Sequence, residues 1–311
     1  MVSRVFLASA TAVFGAALFL ASGIASAQSA RLSDPEEQYV NAVRNADFDK
    51  AQFYVEEGFT DPRNLSNGRS LVTYLYGCRS DNCVPDTEVL EYLISLGLNF
   101  DIQIKNGMRP ISYVCQGYYA AANNTRLLAG QGVELNFSDE NGLSPLHYCT
   151  QKEVNPTANQ RARERWETLE RTIVQLIKSG ADVNARTQGD VPLVRNQGPY
   201  SRIKYGTGQT PLMLAAYSMN VVFGSETALL EVLLANGADV NMVDSLGNTA
   251  VNYLGYPERS GAIEDMLKTL SLFHGAGADI MNDGSNGSMF KQAVANGDVE
   301  FAQQIRAIAN S

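Results

Sequence analysis

The stretch that decides the fold runs from Gly208 to Val243: it opens with GQTPLMLAA and closes with GADVN from Gly237. Thr210 is placed to cap a first helix, and Pro211 stands early in that helix, where a missing N–H costs nothing. A leucine-rich second helix follows, and Gly237 supplies a left-handed stop. One such helix pair cannot bury its own apolar faces, so the stretch predicts similar neighbours on both sides.

Paired glycines along the chain indicate where those neighbours lie. In each pair, one glycine ends a predicted helix and the other opens the next unit. Five of the six pairs are 10 residues apart and the other is 28 apart. Four of the opening glycines follow Asn, and Asn-Gly favours a tight turn. The pairs are Gly58 and Gly68, Gly97 and Gly107, Gly132 and Gly142, Gly180 and Gly208, Gly237 and Gly247, and Gly277 and Gly287.

This pattern resembles the ankyrin repeat, whose hallmarks are a Gly-x-Thr-Pro-Leu-His-x-Ala-Ala helix and a Gly-Ala-Asp-Val-Asn finger. Residues 208–241 match best and 142–184 match next; the segments that open at Gly107 and Gly247 match more weakly. The resemblance extends from about Pro35 to the last residue. It implies an all-α ankyrin-repeat solenoid of about seven helix-turn-helix units, with β-finger loops and atypical end caps.

Residues 1–27 are predicted to be a secretory signal peptide. Arg4 precedes an apolar run over 5–21, and the small residues of Ala25-Ser-Ala27 form a cleavage site before Gln28. A membrane anchor is the alternative, but the run is short and no cysteine at the junction could carry a lipid. We therefore expect an exported protein, periplasmic or secreted, with no stable membrane anchor after cleavage.

The mature chain is predicted to be one elongated domain, since each repeat of a solenoid contacts only its neighbours. It is also expected to be a monomer. Residues 28–34 are a flexible lead-in and 35–311 are the repeat domain, whose fourth unit has a long second helix over 159–179. The units open near residues 35, 68, 107, 142, 208, 247 and 287, with insertions at 79–87, 153–160 and 186–206.

Charge and composition argue against several classes of function. The formal net charge is −9, and removing Arg4 with residues 1–27 leaves 23 basic and 33 acidic residues, or −10. An acidic chain is a poor candidate for nucleic-acid binding.

The sequence also lacks the usual catalytic motifs. The two histidines, His147 and His274, supply neither a zinc site nor a catalytic triad, and no nucleophile elbow or phosphate-binding loop occurs. We predict no enzyme activity, no cofactor and no metal. The resemblance gives His147 hydrogen bonds within and between repeats.

Export favours disulfides, and four cysteines allow three pairings. Cys78 and Cys83 bracket a short insertion, and a bridge between them is our leading hypothesis. Cys115 and Cys149 occupy neighbouring positions in adjacent first helices. They could form a second bridge or remain as small buried thiols.

Tyrosines recur at one position of the repeat and form the candidate binding site. Stacking would place these rings in a row toward the concave groove, where they could contact a partner or simply pack together. Six residues after the opening glycines stand Tyr74, Tyr113, Tyr148 and Tyr253, with Leu214 in the fifth unit, while Tyr217 and Tyr256 follow their glycines by nine.

The insertion 186–206 is basic and is the second candidate binding element, with an ordinary solvated loop as the alternative. Its candidate contact residues are Arg195, Arg202 and Tyr205. The function predicted is a non-catalytic exported scaffold that binds a protein through the groove and this enlarged finger. The alternatives are an inhibitor or protective protein for an envelope enzyme, and a glycan or small-molecule binder that uses the tyrosine row.

Overall fold

A computed structural model describes residues 33–77, 85–115, 121–151, 159–189, 206–219, 227–257, 260–285 and 287–311. These residues are helical and contain no β-strand. None of the helices within these ranges is long and apolar enough to cross a membrane. The α-helices are α1 (Asp34–Arg44), α2 (Phe48–Glu56), α3 (Leu71–Tyr76), α4 (Thr87–Ser95), α5 (Ala121–Gly130), α6 (Pro145–Thr150), α7 (Gln160–Lys178), α8 (Pro211–Met219), α9 (Ala228–Ala235), α10 (Ser260–Gly275), α11 (Met289–Ala295) and α12 (Val299–Ala309), and two 3-10 helices span Pro110–Tyr113 and Ala250–Tyr253.

The helices pack as two rows. In the first row, α3, the 3-10 helix Pro110–Tyr113, α6, α8 and the 3-10 helix Ala250–Tyr253 each contact the next. In the second row, α4, α5, α7 and α9 do the same, and the terminal pairs are α1 with α2 and α11 with α12. One continuous apolar core lies between the rows. The all-α prediction is confirmed for this part of the chain.

Asparagine side chains link successive helix pairs at the loops that connect them. Asn184 donates from Nδ2 to the carbonyl of Gly237 at 3.1 Å, and its Oδ1 accepts from the N–H of Asp239 at 2.8 Å. Asn136 makes the same two bonds to Gly180 and Asp182, and Asn241 makes them to Gly277 and Asp279. Each bond satisfies a backbone group at a helix end. The Asn that closes the GADVN pattern therefore joins one helix pair to the next.

The loop after Gly97 carries Asp101 in place of this asparagine, and an ion-pair cluster occupies the position instead. The guanidinium of Arg109 lies 2.5 Å from Asp101 and 2.9 Å from Glu134, and it stacks 4.3 Å from the ring centroid of Phe137. The aliphatic stem and planar head of arginine suit this combination of a ring face with two carboxylates. The loop that follows α4 is therefore linked to the next helix pair by ion pairs and not by an asparagine.

His147 is fully buried and joins two helix pairs. Its Nδ1 accepts from the N–H of Ser144 at 3.1 Å, so the proton is on Nε2, which lies 3.2 Å from the carbonyl of Gln209. Asn252 occupies the same position in its unit, accepting from the N–H of Thr249 at 2.9 Å. An amide can therefore replace the imidazole in this fold. Thr210 accepts from the N–H of Met213 at 3.3 Å, and Pro211 is the first residue of α8.

The buried imidazole predicts that acid destabilises the protein. Burial lowers the pKa of His147 to about 4 from 6.5, against the opposing effect of the Gln209 carbonyl. As the pH falls, the imidazole is therefore protonated in the unfolded chain at a higher pH than in the folded protein. The contribution of neutral His147 to the free energy of unfolding is complete above pH 6.5 and is lost as the pH falls towards 4. We expect a loss of about 3 kcal/mol across that window, measured by urea unfolding at a series of pH values.

His147→Asn is the matched control, because asparagine makes the equivalent bonds at position 252 and does not titrate. The variant should lose about 3 kcal/mol less than the wild type between pH 7 and pH 4. Equal acid sensitivity of the two proteins would mean that carboxylates elsewhere, and not this imidazole, set the pH dependence.

Candidate binding surface

The six candidate tyrosines divide into two groups by burial. Tyr113, Tyr217 and Tyr253 are buried, with exposed fractions of 8%, 6% and 0%. Tyr74, Tyr148 and Tyr256 are half-buried and pack against the same core. The burial of the first group favours packing, one of the two roles that the sequence left open. Only the second group presents ring surface that another molecule could contact.

An aspartate nine residues earlier fixes two of these rings. Tyr148 donates to the carboxylate of Asp139, and Tyr253 donates to that of Asp244 at 2.7 Å. Burial and these carboxylates raise the pKa of both phenols. Each aspartate precedes its opening glycine by three residues, and each tyrosine follows it by six. This spacing is a signal for an anchored tyrosine, and the prediction of a tyrosine row did not include it.

The other two half-buried rings are held by different neighbours. The Arg44 guanidinium carbon lies 5.4 Å from the ring centroid of Tyr74, within the range of a cation–π contact. Tyr256 packs edge-on against Phe301 at 5.9 Å, and its hydroxyl lies 3.2 Å from the Asp298 carboxylate. All three accessible rings are therefore held in place before any partner arrives.

The root of the enlarged loop is fixed on its N-terminal side. The N–H of Thr187 donates to the carbonyl of Gln209 at 2.9 Å, and the Thr187 hydroxyl accepts from the N–H of Gln209 at 2.9 Å. The next N–H, of Gln188, donates to the carbonyl of Gly142 at 2.9 Å. This side of the loop is therefore attached to the pair α6 and α7 through Gly142 and to the pair α8 and α9 through Gln209.

The C-terminal side of the root is attached to the following helix pair. The N–H of Gly206 donates to the Asp244 carboxylate at 2.9 Å, and the N–H of Ser245 donates to the carbonyl of Thr207 at 2.8 Å. Burial alone would raise the pKa of Asp244, but hydrogen bonds from Asn248, Tyr253 and Gly206 outweigh it and lower the pKa below its usual value. Both ends of the loop are therefore held by hydrogen bonds to neighbouring helix pairs.

The candidate residues Arg195, Arg202 and Tyr205 lie outside the described residues, as do Cys78 and Cys83. The Cys115–Cys149 bridge is present, with Cα atoms 5.0 Å apart, and it joins the 3-10 segment after Pro110 to α6. This confirms the pairing that the sequence left open against free thiols. In sequence, Cys149 directly follows Tyr148, and Cys115 directly follows Val114.

Within the described ranges, no group of three or more His, Cys, Asp or Glu side chains could hold a metal ion. Some polar side chains of the first row instead form hydrogen bonds that link one helix pair to another: His147 to the carbonyl of Gln209, and Asn252 to the carbonyl of Asn282. Within these ranges the geometry is that of stacked helix pairs joined by hydrogen bonds.

Comparison with known families agrees with this interpretation of the geometry. A family model for the ankyrin repeat matches residues 207–245, which include α8, α9 and the loop that carries Asp244. Ankyrin repeats are typically non-catalytic and generally mediate protein–protein interactions. Residues 207–245 of this chain are similar to an ankyrin repeat.

Proposed function

We propose that the chain is a non-catalytic exported scaffold that binds another protein. Its contact surface would comprise the first-row face, with Tyr74, Tyr148 and Tyr256, and the enlarged loop with Arg195, Arg202 and Tyr205. The observation that carries the proposal is that three tyrosine rings keep exposed surface while neighbouring groups hold them in place. A held ring loses little entropy on binding, and tyrosine is enriched at the centres of interfaces.

The finer features of the proposal come from the repeat spacing. The paired glycines and the two helix rows support an array of about seven units whose connecting loops act as fingers. Export is supported by residues 1–27 and agrees with the Cys115–Cys149 bridge, since disulfides persist in oxidising compartments. We further propose a monomer without a membrane anchor after cleavage.

The proposal predicts that removing two accessible rings weakens partner capture. The full chain would be expressed in its native host, crosslinked in the exported fraction and used to identify co-purified proteins. The double variant Tyr74→Ser and Tyr148→Ser should then bind the purified partner at least about tenfold more weakly by calorimetry, because both residues keep exposed surface on first-row helices.

Tyr54→Ser is the matched control, since it also removes a half-buried tyrosine, but from α2, which is not in the first row. It should keep the wild-type affinity. Full affinity in the double variant, with a loss in the Tyr54 variant, would place the site on the other side of the molecule.

The same protein separates the two alternative functions. Inhibition of a co-purified enzyme by the wild-type chain, and not by the double variant, would identify an inhibitor or protective protein. A glycan binder would instead show a rise in melting temperature with cell-wall fragments, and the double variant would abolish that rise.

A further inference from the structure

The loop 237–247 carries exposed apolar residues at two positions where the aligned loops carry polar ones. Val243 and Leu246, which we call the apolar tip, are 42% and 43% exposed. At the position of Val243, the other loops carry polar residues. At the position of Leu246, they carry asparagine or threonine. The residues equivalent to Val243 are Asn64, Gln103, Ser138, Arg186 and Asp283, and those equivalent to Leu246 are Asn67, Asn106, Asn141, Thr207 and Asn286.

Exposed leucine at this position has no evident value for the turn itself. Asparagine before the opening glycine favours the tight turn, and five of the six loops carry it or threonine. Single exposed apolar residues are common on protein surfaces, but here two lie within four residues of each other on one turn. The departure at both positions therefore indicates a contact surface.

Arg186 places an oriented positive charge beside the apolar tip. Its Nη1 donates to the carbonyl of Val243 at 2.8 Å and to that of Gly208 at 3.1 Å. The residue is exposed, and no described carboxylate lies within ion-pair distance of its guanidinium. With one nitrogen held by two carbonyls, the remaining N–H groups can donate to a carboxylate from outside.

The turn that carries the apolar tip is rigid. The buried carboxylate of Asp244 accepts from the N–H groups of Leu246 at 2.8 Å, Asn248 at 2.9 Å and Gly206 at 2.9 Å. The tip and the root of the enlarged loop therefore share one anchor. A surface held in this way binds without a prior ordering cost.

We infer that Arg186 and the apolar tip bind an extended protein segment in which an Asp or Glu lies next to a bulky aliphatic or aromatic residue. The carboxylate would pair with the Arg186 guanidinium, and the apolar side chain would pack on Val243 and Leu246. Arginine is enriched at protein interfaces, where its planar head can pair with a carboxylate while neighbouring side chains supply apolar contact area. This inference rests on the proposed scaffold function and specifies the chemistry of its partner.

The test uses random peptides displayed on phage and selected against the full chain. Enriched peptides should share an acidic residue within a few positions of Leu, Ile or Phe. A fluorescent peptide of that consensus should bind at least about tenfold more weakly to the double variant Val243→Gln and Leu246→Asn. These replacements copy Gln103 and Asn106 from another loop of the same chain, so the turn should keep its stability.

Arg186→Gln tests the charge separately. Wild-type affinity should fall as salt increases, and this dependence should be weaker in the variant, because a charge pair at an exposed site is screened. Hydrogen exchange checks that Gly206 and Leu246 remain protected, which shows that the turn is intact.

The inference about Arg186 and the apolar tip would be overturned by any of these results: no enriched peptide, a consensus without an acidic residue, unchanged affinity in the Val243 and Leu246 variant, or binding to phosphatidylserine vesicles that this variant abolishes. Faster hydrogen exchange of 190–205 in the unbound double variant would do so as well, because it would make the chain's own loop the occupant. The crosslinking experiment with Tyr74 and Tyr148 decides the scaffold function independently.

Discussion

Alanine at Gly142 is expected to lower the free energy of unfolding by about 3 kcal/mol or more, combining about 1–2 kcal/mol for a left-handed backbone with about 1–3 kcal/mol for overpacking. Gly142 has φ +74°, and a Cβ built there lies 1.5 Å from the carbonyl oxygen of Gln188. The two backbones cannot separate without cost, since the N–H of Gln188 donates to the carbonyl of Gly142 at 2.9 Å. Guanidinium unfolding of the purified variant measures the loss.

Gly68→Ala is the matched control. Gly68 opens an equivalent unit with nearly the same φ, +76°, but nothing lies within 4 Å of the point that a Cβ would occupy there. Its substitution should cost only the backbone term of about 1–2 kcal/mol. If both variants lose the same stability, the approach of Gln188 to Gly142 contributes nothing beyond the turn conformation.

The Gly142 variant also tests how the enlarged loop is held. Because Gln188 bonds Gly142 while Thr187 bonds Gln209, displacement of one side of the root should expose both pairs. Hydrogen exchange should therefore accelerate at Gln188 and Gln209 in Gly142→Ala, and not in Gly68→Ala. A stability loss without this change would locate the strain elsewhere in the turn.

Local signals in the sequence were sufficient to predict several helix ends within the described residues. Proline at the first position of α6 and α8, and glycines with positive φ at the loop ends, match the predicted starts and stops. The predicted second helix over 159–179 is α7, Gln160–Lys178. These features depend on residues close together in sequence, which is why they could be predicted.

Burial of the tyrosines could not be predicted from their position in the repeat. Tyr148 and Tyr253 share a position and both donate to an aspartate, yet only Tyr253 is fully buried. The difference comes from the neighbouring unit: Gln209 donates a hydrogen bond to the Tyr253 hydroxyl at 3.0 Å, and Gly206 also bonds the shared Asp244. Contacts of this kind join residues far apart in sequence, so a single repeat does not reveal them.

The same limit applied to the apolar tip and its arginine. Val243 and Leu246 stand out only when the connecting loops are aligned, and Arg186 lies 57 residues before Val243 in the chain. The prediction treated Arg186 as part of a basic insertion. The structure places its guanidinium against the backbone of the following loop.

Removal of the Cys115–Cys149 bridge is expected to cost about 3–4 kcal/mol. The bridge closes a loop with a sequence separation of 34, and constraining the unfolded chain over that length contributes this much in the chain-entropy description. The variant to measure is Cys115→Ala with Cys149→Ala, by guanidinium unfolding. Alanine fits these positions, because Ala215 and Ala216 occupy the equivalent ones in α8 and are fully buried.

Reductant alone would not assign the effect, because the chain has four cysteines. The double alanine variant changes only the pair between the first-row helices, so the loss that it shows in non-reducing buffer belongs to that bridge. Adding reductant to the same variant then reports on Cys78 and Cys83, and a further loss would support the local bridge that the sequence favours. A double variant as stable as the wild type would mean that the packing of the surrounding side chains holds the two helices together without the covalent bond.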